Sequence, residues 1–254
     1  MRQFARRNVI AGASISLGMT VGAPRIALSQ ESSAPSDWMQ LLRPEDDPQF
    51  GPVIRGAAPL GGAIVGTTPA RHEEIRTGFK LLLDAPRQPD WMVVAGYFRD
   101  ITSRNGDGEL YNREWRVRAN PVILGFFAAT GTAPADGDQT SWCAAFVSFC
   151  LVVAGQPNRY TALSGGYRTF GTQVGEPQAG DIAVFALAGE NGRRGFGHVG
   201  FFVRQERRGG VPGIILLGGN QVGTTRSTGA VTESWYSLAG QELLFHSIRR
   251  VPSA

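Results

Sequence analysis

Two cysteines, three histidines and a run of side-chain amides carry most of the chemistry open to this 254-residue chain. Cys143 stands in Thr140-Ser141-Trp142-Cys143-Ala144-Ala145-Phe146-Val147. His198 stands in Gly197-His198-Val199-Gly200-Phe201, and Asn220 in Gly218-Gly219-Asn220-Gln221. A thiol, an imidazole and an amide are the parts of a nucleophilic hydrolase. The thiolate attacks a carbonyl, the imidazole takes the thiol proton and returns it to the leaving group, and an amide oxygen fixes the ring tautomer. Ser141 has N-cap chemistry and Gly155 that of a C′ stop, which together predict a helix with Cys143 at its second position. Unpaired N–H groups and the helix dipole there favour an anion, lower a thiol pKa and can donate to an oxyanion.

Each residue also has a plainer reading. Free cysteine is among the most buried residue types, so Cys143 also fits a small core residue. Cys150 lies seven residues on, ~10.5 Å along a helix axis, too far for a disulfide with Cys143, and its apolar neighbours place it in the core. His72 sits in a charged helical stretch and reads as solvated. His246 lies on a late strand and reads as a satisfied sheet residue. His198 opens an apolar strand after a Gly-rich loop, Gly189 to Gly197, where side chains face clefts. Asn220 is the best orienting group, although Gly-Gly-Asn is also turn chemistry. Asp181, its rival, is placed to cap a turn into its own strand.

Trp142-Cys143-Ala144-Ala145-Phe146-Val147, Gly180-Asp181-Ile182-Ala183-Val184-Phe185, Gly197-His198-Val199-Gly200-Phe201 and Leu217-Gly218-Gly219-Asn220-Gln221 resemble the CHAP family. These are cysteine- and histidine-dependent amidohydrolases and peptidases, related to NlpC/P60 enzymes and to the papain-like fold. The resemblance spans about half the chain, with the motifs in family order. It implies Cys143 as nucleophile, His198 as base and Asn220 as orienting residue, with peptidoglycan amide bonds as substrate and no cofactor. Gly218 stands where many members carry an acidic residue.

The elements that must hold these residues are read from periodicity. Pro69 at N1 opens a helix through about Leu83, striped by Ile75, Phe79 and Leu82. Trp91, Val94, Ala95, Phe98 and Ile101 form a second stripe. Asn120 caps a third helix with Pro121 at N1 and Gly131 at C′. Short strands follow at Ile182–Leu187, Val199–Arg204, Ile214–Leu217, near Ala230–Tyr236 and at Leu243–Val251. Helices first and strands later predict an α+β fold with a small antiparallel sheet carrying His198 and Asn220. Trp142, Ser164, Tyr167 and the Gly189–Gly197 loop are expected to line the cleft.

Four segments follow. Residues 1–29 read as a twin-arginine-type signal, with Arg6-Arg7, a weakly apolar stretch too short for a membrane span, and a cleavage-like Ala27-Leu28-Ser29. Residues 30–66 are a Pro/Gly/Ser-rich linker or arm, 67–118 a helical extension and 119–252 the CHAP-like domain. About 225 residues beyond the signal suit one enzyme domain. The formal charge is +4, but four arginines and no acids precede Gln30, leaving 21 charges of each sign. Nucleic acid is therefore not an expected partner.

Ser103 to Glu114 approximates a calcium loop, with Asn105, Asp107 and Glu114 at ligand positions. Ser103 replaces the first aspartate, and Asn-Gly-Asp-Gly is ordinary turn chemistry. Neither the cysteines nor the histidines have zinc spacing. The expectation is a monomeric periplasmic or secreted cysteine hydrolase of amide bonds. Its alternatives are a non-catalytic wall-binding or scaffold module and a Cys-His acyl- or amidotransferase.

Overall fold

The computed structural model describes residues 68–134, 136–222 and 228–252. The expected signal (1–29) and linker (30–66) lie outside the described residues. Thr68 accepts from Ala119 N–H at 2.8 Å and bridges Arg118, so the backbone stays extended past Pro69. The first helix, α1 (His72–Leu83), therefore begins three residues later than Pro69 predicts, after Arg71 at ψ 155. α2 (Trp91–Arg99) is capped by Asp90, whose carboxylate accepts from Met92 N–H at 2.9 Å. α3 (Pro121–Phe126) starts as expected, with Asn120 as N-cap and Pro121 at N1. It runs on as a 3-10 turn, Phe127–Ala129, capped by Thr130, so Gly131 follows that turn and not the α-helix itself.

α4 (Cys143–Val153) is apolar around its whole circumference and is accordingly buried. Gly155, at φ 68, ends it in a Schellman pair: Gly155 N–H donates to Val152 and Gln156 N–H to Leu151. Phe98 of α2 meets Phe126, Phe146 and Phe149 with ring centroids 5.0, 6.5 and 5.6 Å away. The helical segment before residue 119 thus shares one core with α4.

The described strands form one antiparallel sheet, in the spatial order Thr172–Gln173, Leu243–Arg250, Ile182–Leu187, Gly197–Arg208, Val211–Val222, Gly229–Ser237. Its strands are β1 (Thr172–Gln173), β2 (Ile182–Leu187), β3 (Gly197–Arg208), β4 (Val211–Val222), β5 (Gly229–Ser237) and β6 (Leu243–Arg250). The fold is α+β, and β1 is a strand that periodicity did not predict. The Gly189–Gly197 stretch, read as a loop, contains a short helix, α5 (Gly189–Arg193). Alternation splits the sheet's side chains between two cores. Val184, Val199, Phe201 and Leu217 face the helices, while Phe185, Phe202 and Leu216 fill the opposite face. That second face curls, so Tyr236 of β5 comes within 5.4 Å of Phe185 of β2, centroid to centroid.

Two buried carboxylates tie the stretch between α2 and α3 into this frame. Glu74 takes a two-pronged contact from Arg118, at 2.8 and 2.7 Å, and Arg118 also pairs with Asp107. Asp138 accepts the backbone N–H groups of Trp115 and Asn120 at 3.1 and 2.8 Å. Burial pushes the Asp138 carboxyl up to about 7, against those hydrogen bonds.

An unfolded aspartate titrates near 3.9. The stability that Asp138 contributes is therefore complete below that value and is lost as pH rises through about 7. Asp138→Asn keeps an acceptor for both N–H groups and removes the charge. Its stability relative to the parent should rise by up to about 4 kcal/mol between pH 4 and pH 8. Urea unfolding at both ends of that range measures this, and a pH-independent difference would show that Asp138 is ionised throughout.

Candidate active site

The site is built where the start of α4 meets the start of β3. Cys143 is the first residue of α4, one place earlier in the helix than its sequence predicts. Trp142 stands at the N-cap, at φ −119 and ψ 12, and no side chain caps the helix; the Ser141 cap is not made. The N–H groups of Val199, Ala144 and Cys143 itself favour a thiolate, but burial outweighs them and pushes the thiol up to about 11. The expected lowering by the helix terminus is thus reversed, because the residue is only 4% exposed and desolvation of the anion dominates. Cys150 is buried and free, and burial raises its thiol as well.

His198 is buried too, and burial pushes its imidazole down to about 4. Val199 and Phe201 face the helices, so alternation sends the His198 ring to the other side of β3. There it pairs across the ladder with Phe185 and stacks on Tyr236, with centroids 4.9 Å apart and planes 19° apart. Its Nε2 shares a 3.0 Å hydrogen bond with the Tyr236 hydroxyl. No hydrogen bond joins His198 to the Cys143 sulfur in this structure. A cavity of ≈ 420 Å³ is lined by Phe185, Trp235, Tyr236 and Leu243 and does not include His198. A second, apolar cavity of ≈ 440 Å³, between Phe79, Pro121 and Phe127, includes none of the site residues.

Of the two neighbouring amides, it is Gln221 and not Asn220 that raises the imidazole. Between Gly218 and Gln221 the β4–β5 register gains a residue. Asn220 takes the left-handed conformation there, at φ 54, which Asn tolerates better than most residues. One extra residue reverses the alternation, so Asn220 lies against Gly229 and Glu114. Gln221, fully buried, turns toward His198 and raises its pKa against the effect of burial. Its Nε2 is held by the carbonyls of Thr232 at 2.7 Å and Leu216 at 3.3 Å. That fixes Oε1 as the free acceptor, and it has no completed hydrogen bond.

Trp142, Ser164 and Tyr167 do not line an open cleft. All three are buried by neighbours that satisfy their polar atoms. The Trp142 indole donates to Glu114 at 3.0 Å, Ser164 donates to the Gly195 carbonyl, and the Tyr167 hydroxyl meets Ser148 at 2.7 Å. Asp181 accepts from Gln178 N–H and from Arg250, consistent with its turn-capping reading. His72 and His246 are exposed.

The calcium-loop residues diverge. Asn105 Oδ1 accepts the N–H groups of Asp107 and Glu109, Asp107 pairs with Arg118, and Glu114 holds Trp142 and Gly229. Among the described residues no cluster could hold a metal ion.

The CHAP domain family model matches residues 135–220, about a third of the chain. Residues 135–220 are a CHAP domain. Comparison with curated proteins returns no match, and neither does comparison with solved structures. CHAP domains are in general amidohydrolases or peptidases of the peptidoglycan-hydrolase type. Cys143 and His198 lie inside this domain, and Asn220 is its last residue. Tyr236, which bonds the imidazole, and Gln221, which raises it, lie beyond it, and Glu114, which holds the Trp142 indole, lies before it. The Gly-Gly-Asn turn chemistry was the one sequence signal for the bulge that brings Gln221 inward. Tyr236 had none, because its approach depends on the curl of the sheet.

Among the described residues no helix is long and apolar enough to cross a membrane.

Proposed function

We propose that this chain is an exported hydrolase of amide bonds in peptidoglycan, with Cys143 as nucleophile and His198 as base, on a papain-like arrangement of helix and sheet. The observation that carries this reading is the meeting of α4 and β3 inside the CHAP domain. It puts the sulfur among the N–H groups of Cys143, Ala144 and Val199, one residue from His198. In the reaction the thiol proton passes to the imidazole as the sulfur bonds the carbonyl carbon. The N–H groups donate to the oxyanion, the C–N bond breaks, and the imidazolium protonates the amine. Water, deprotonated by His198, then releases the acyl group. Gln221 orients the ring by its free Oε1, the part assigned to Asn220 on sequence.

A thiol near 11 and an imidazole near 4 form a neutral pair at rest. Burial of both groups disfavours their charged forms. Substrate must therefore exchange the Tyr236–His198 bond for a thiol–imidazole contact. Tyr236→Phe removes the competitor. Cys143 alkylation should then accelerate by about two- to tenfold, the worth of one net hydrogen bond. An unchanged or slower rate would show that Tyr236 does not compete for the ring.

The test of the function is digestion of purified peptidoglycan with mass analysis of the fragments. New amine and carboxyl ends within the stem peptide indicate an endopeptidase, and ends between sugar and peptide an amidase. An added amine that appears in the product in place of water would make the chain a transferase. A second reading, a non-catalytic wall-binding or scaffold module, is favoured by one observation: the sulfur and the imidazole are both buried and not bonded to each other. Binding to peptidoglycan without any fragment would support it.

A further inference from the structure

Glu114 lies upstream of the CHAP domain, yet its carboxylate ends between two parts of the site. Oε1 accepts from the Trp142 indole N–H at 3.0 Å, and Oε2 accepts from the Gly229 N–H at 2.6 Å. The Glu114 N–H in turn donates to the Gly229 carbonyl at 2.9 Å, so Glu114 holds that residue by both of its peptide groups. Burial raises the Glu114 carboxyl, and the two N–H groups oppose this by favouring the charged form. Each partner leads directly to a group that the reaction needs. Trp142 precedes Cys143, and its carbonyl accepts the Phe146 N–H at 2.9 Å, which closes the first turn of α4. The Trp142 ring also packs on the bulge of β4: a Cβ on Gly219 would collide with the indole and with Phe146. Gly229 opens β5 opposite Val222, and the next residue, Ala230, pairs with Gln221. A Cβ on Gly229 would collide with Asn220 and Glu114, so bulge and carboxylate close on the same point.

We propose that Glu114 is a positioning residue for the Cys143–His198 pair. Through Trp142 it fixes where α4 begins, and through Gly229 it fixes the β4–β5 register that turns Gln221 toward the imidazole. One carboxylate thus ties the start of the nucleophile's helix to the strand facing Gln221. A carboxylate is required because both partners are donors and each takes its own oxygen. A carboxamide of the same shape has one acceptor oxygen and turns an NH2 onto the other donor. The consequence for turnover rests on the hydrolase reading; the positioning of thiol and imidazole does not.

The test compares Glu114→Gln with the parent, both as full chains, in Cys143 alkylation and in peptidoglycan turnover. Alkylation at pH 7 should slow by about tenfold, roughly the worth of one buried hydrogen bond. Turnover should lose a similar factor in kcat with KM unchanged, the pattern of a displaced reacting group and not of weakened binding. Trp142→Phe removes one donor and leaves the carboxylate; it should slow alkylation as well, and it serves if Glu114→Gln does not fold. In the double variant the loss should be little greater than in either single one, because the two residues make one contact. An unchanged or faster Cys143 rate in the folded variant, with only a lower unfolding midpoint, overturns the proposal, since the carboxylate then merely closes the core. A parent Cys143 as inert as Cys150 overturns it too, because no pair is then in place. If alkylation slows in the variant but the parent releases no peptidoglycan fragments, the positioning stands and the hydrolase reading falls. If the parent releases fragments and the variant matches it in both rates, the reverse holds.

Discussion

Replacing Cys143 by Ala is expected to reduce the release of peptidoglycan fragments by about 10⁴-fold or more, because loss of the nucleophile leaves only substrate binding and the oxyanion donors. His198→Ala should fall into the same range, and the double variant should be little worse than either single one, since the two groups act as one unit. Stability should hardly change in Cys143→Ala, which gives up one small side chain. A fragment count per hour and a thermal unfolding curve on each variant separate chemistry from folding. Cys150→Ala is the control, and it should leave turnover at the parent's level.

Cutting the buried ion pair between α1 and the segment before α3 should have the largest effect on the fold. Glu74 and Arg118 have side chains 6% and 9% exposed, with Nε and Nη2 of the guanidinium both bonded to the carboxylate. Removing Glu74 leaves the buried Arg118 only the half-exposed Asp107 as a carboxylate partner, at up to about 3–5 kcal/mol. Glu74→Ala should therefore lower the unfolding midpoint by roughly 10 °C in a domain of this size. Exposed pairs such as Arg193–Glu190 should contribute at most about 1 kcal/mol. Glu74→Met together with Arg118→Leu should recover much of the loss, because an apolar pair of similar volume removes the stranded charge. If Glu74→Ala shifts the midpoint no more than Glu190→Ala does, the pair does not anchor the helical segment.

The sequence was most informative where local chemistry decides the outcome. The strand from Ile182 to Leu187 and the one beginning at Leu243 match their periodicity, as does the Asn120-Pro121 helix start. The proposed nucleophile and base were singled out as residues because motifs resembling the CHAP family surround them. Their electrostatics were not. A helix start predicts a lowered thiol pKa, whereas burial by residues distant in sequence reverses the sign. Gln221 was hidden by a single inserted residue after a strand expected to end at Leu217, and nothing local in Gly-Gly-Asn-Gln shows which of the two amides turns inward. Glu74 and Arg118 lie 44 residues apart, and no local pattern links them. Trp142, Ser164 and Tyr167 were assigned to the cleft by adjacency to the motifs, but each had a buried hydrogen-bond partner to meet instead.

The most direct measurement is the rate of Cys143 alkylation from pH 5 to pH 10 in the folded protein, followed by mass spectrometry of the peptides bearing Cys143 and Cys150. If His198 serves the thiol, Cys143 reacts selectively, its rate is nearly flat across neutral pH, and His198→Ala slows it at pH 7. If the thiol is only a core residue, Cys143 and Cys150 stay equally inert, or Cys143 reacts with a rate that climbs tenfold per pH unit toward about 11 and is indifferent to His198.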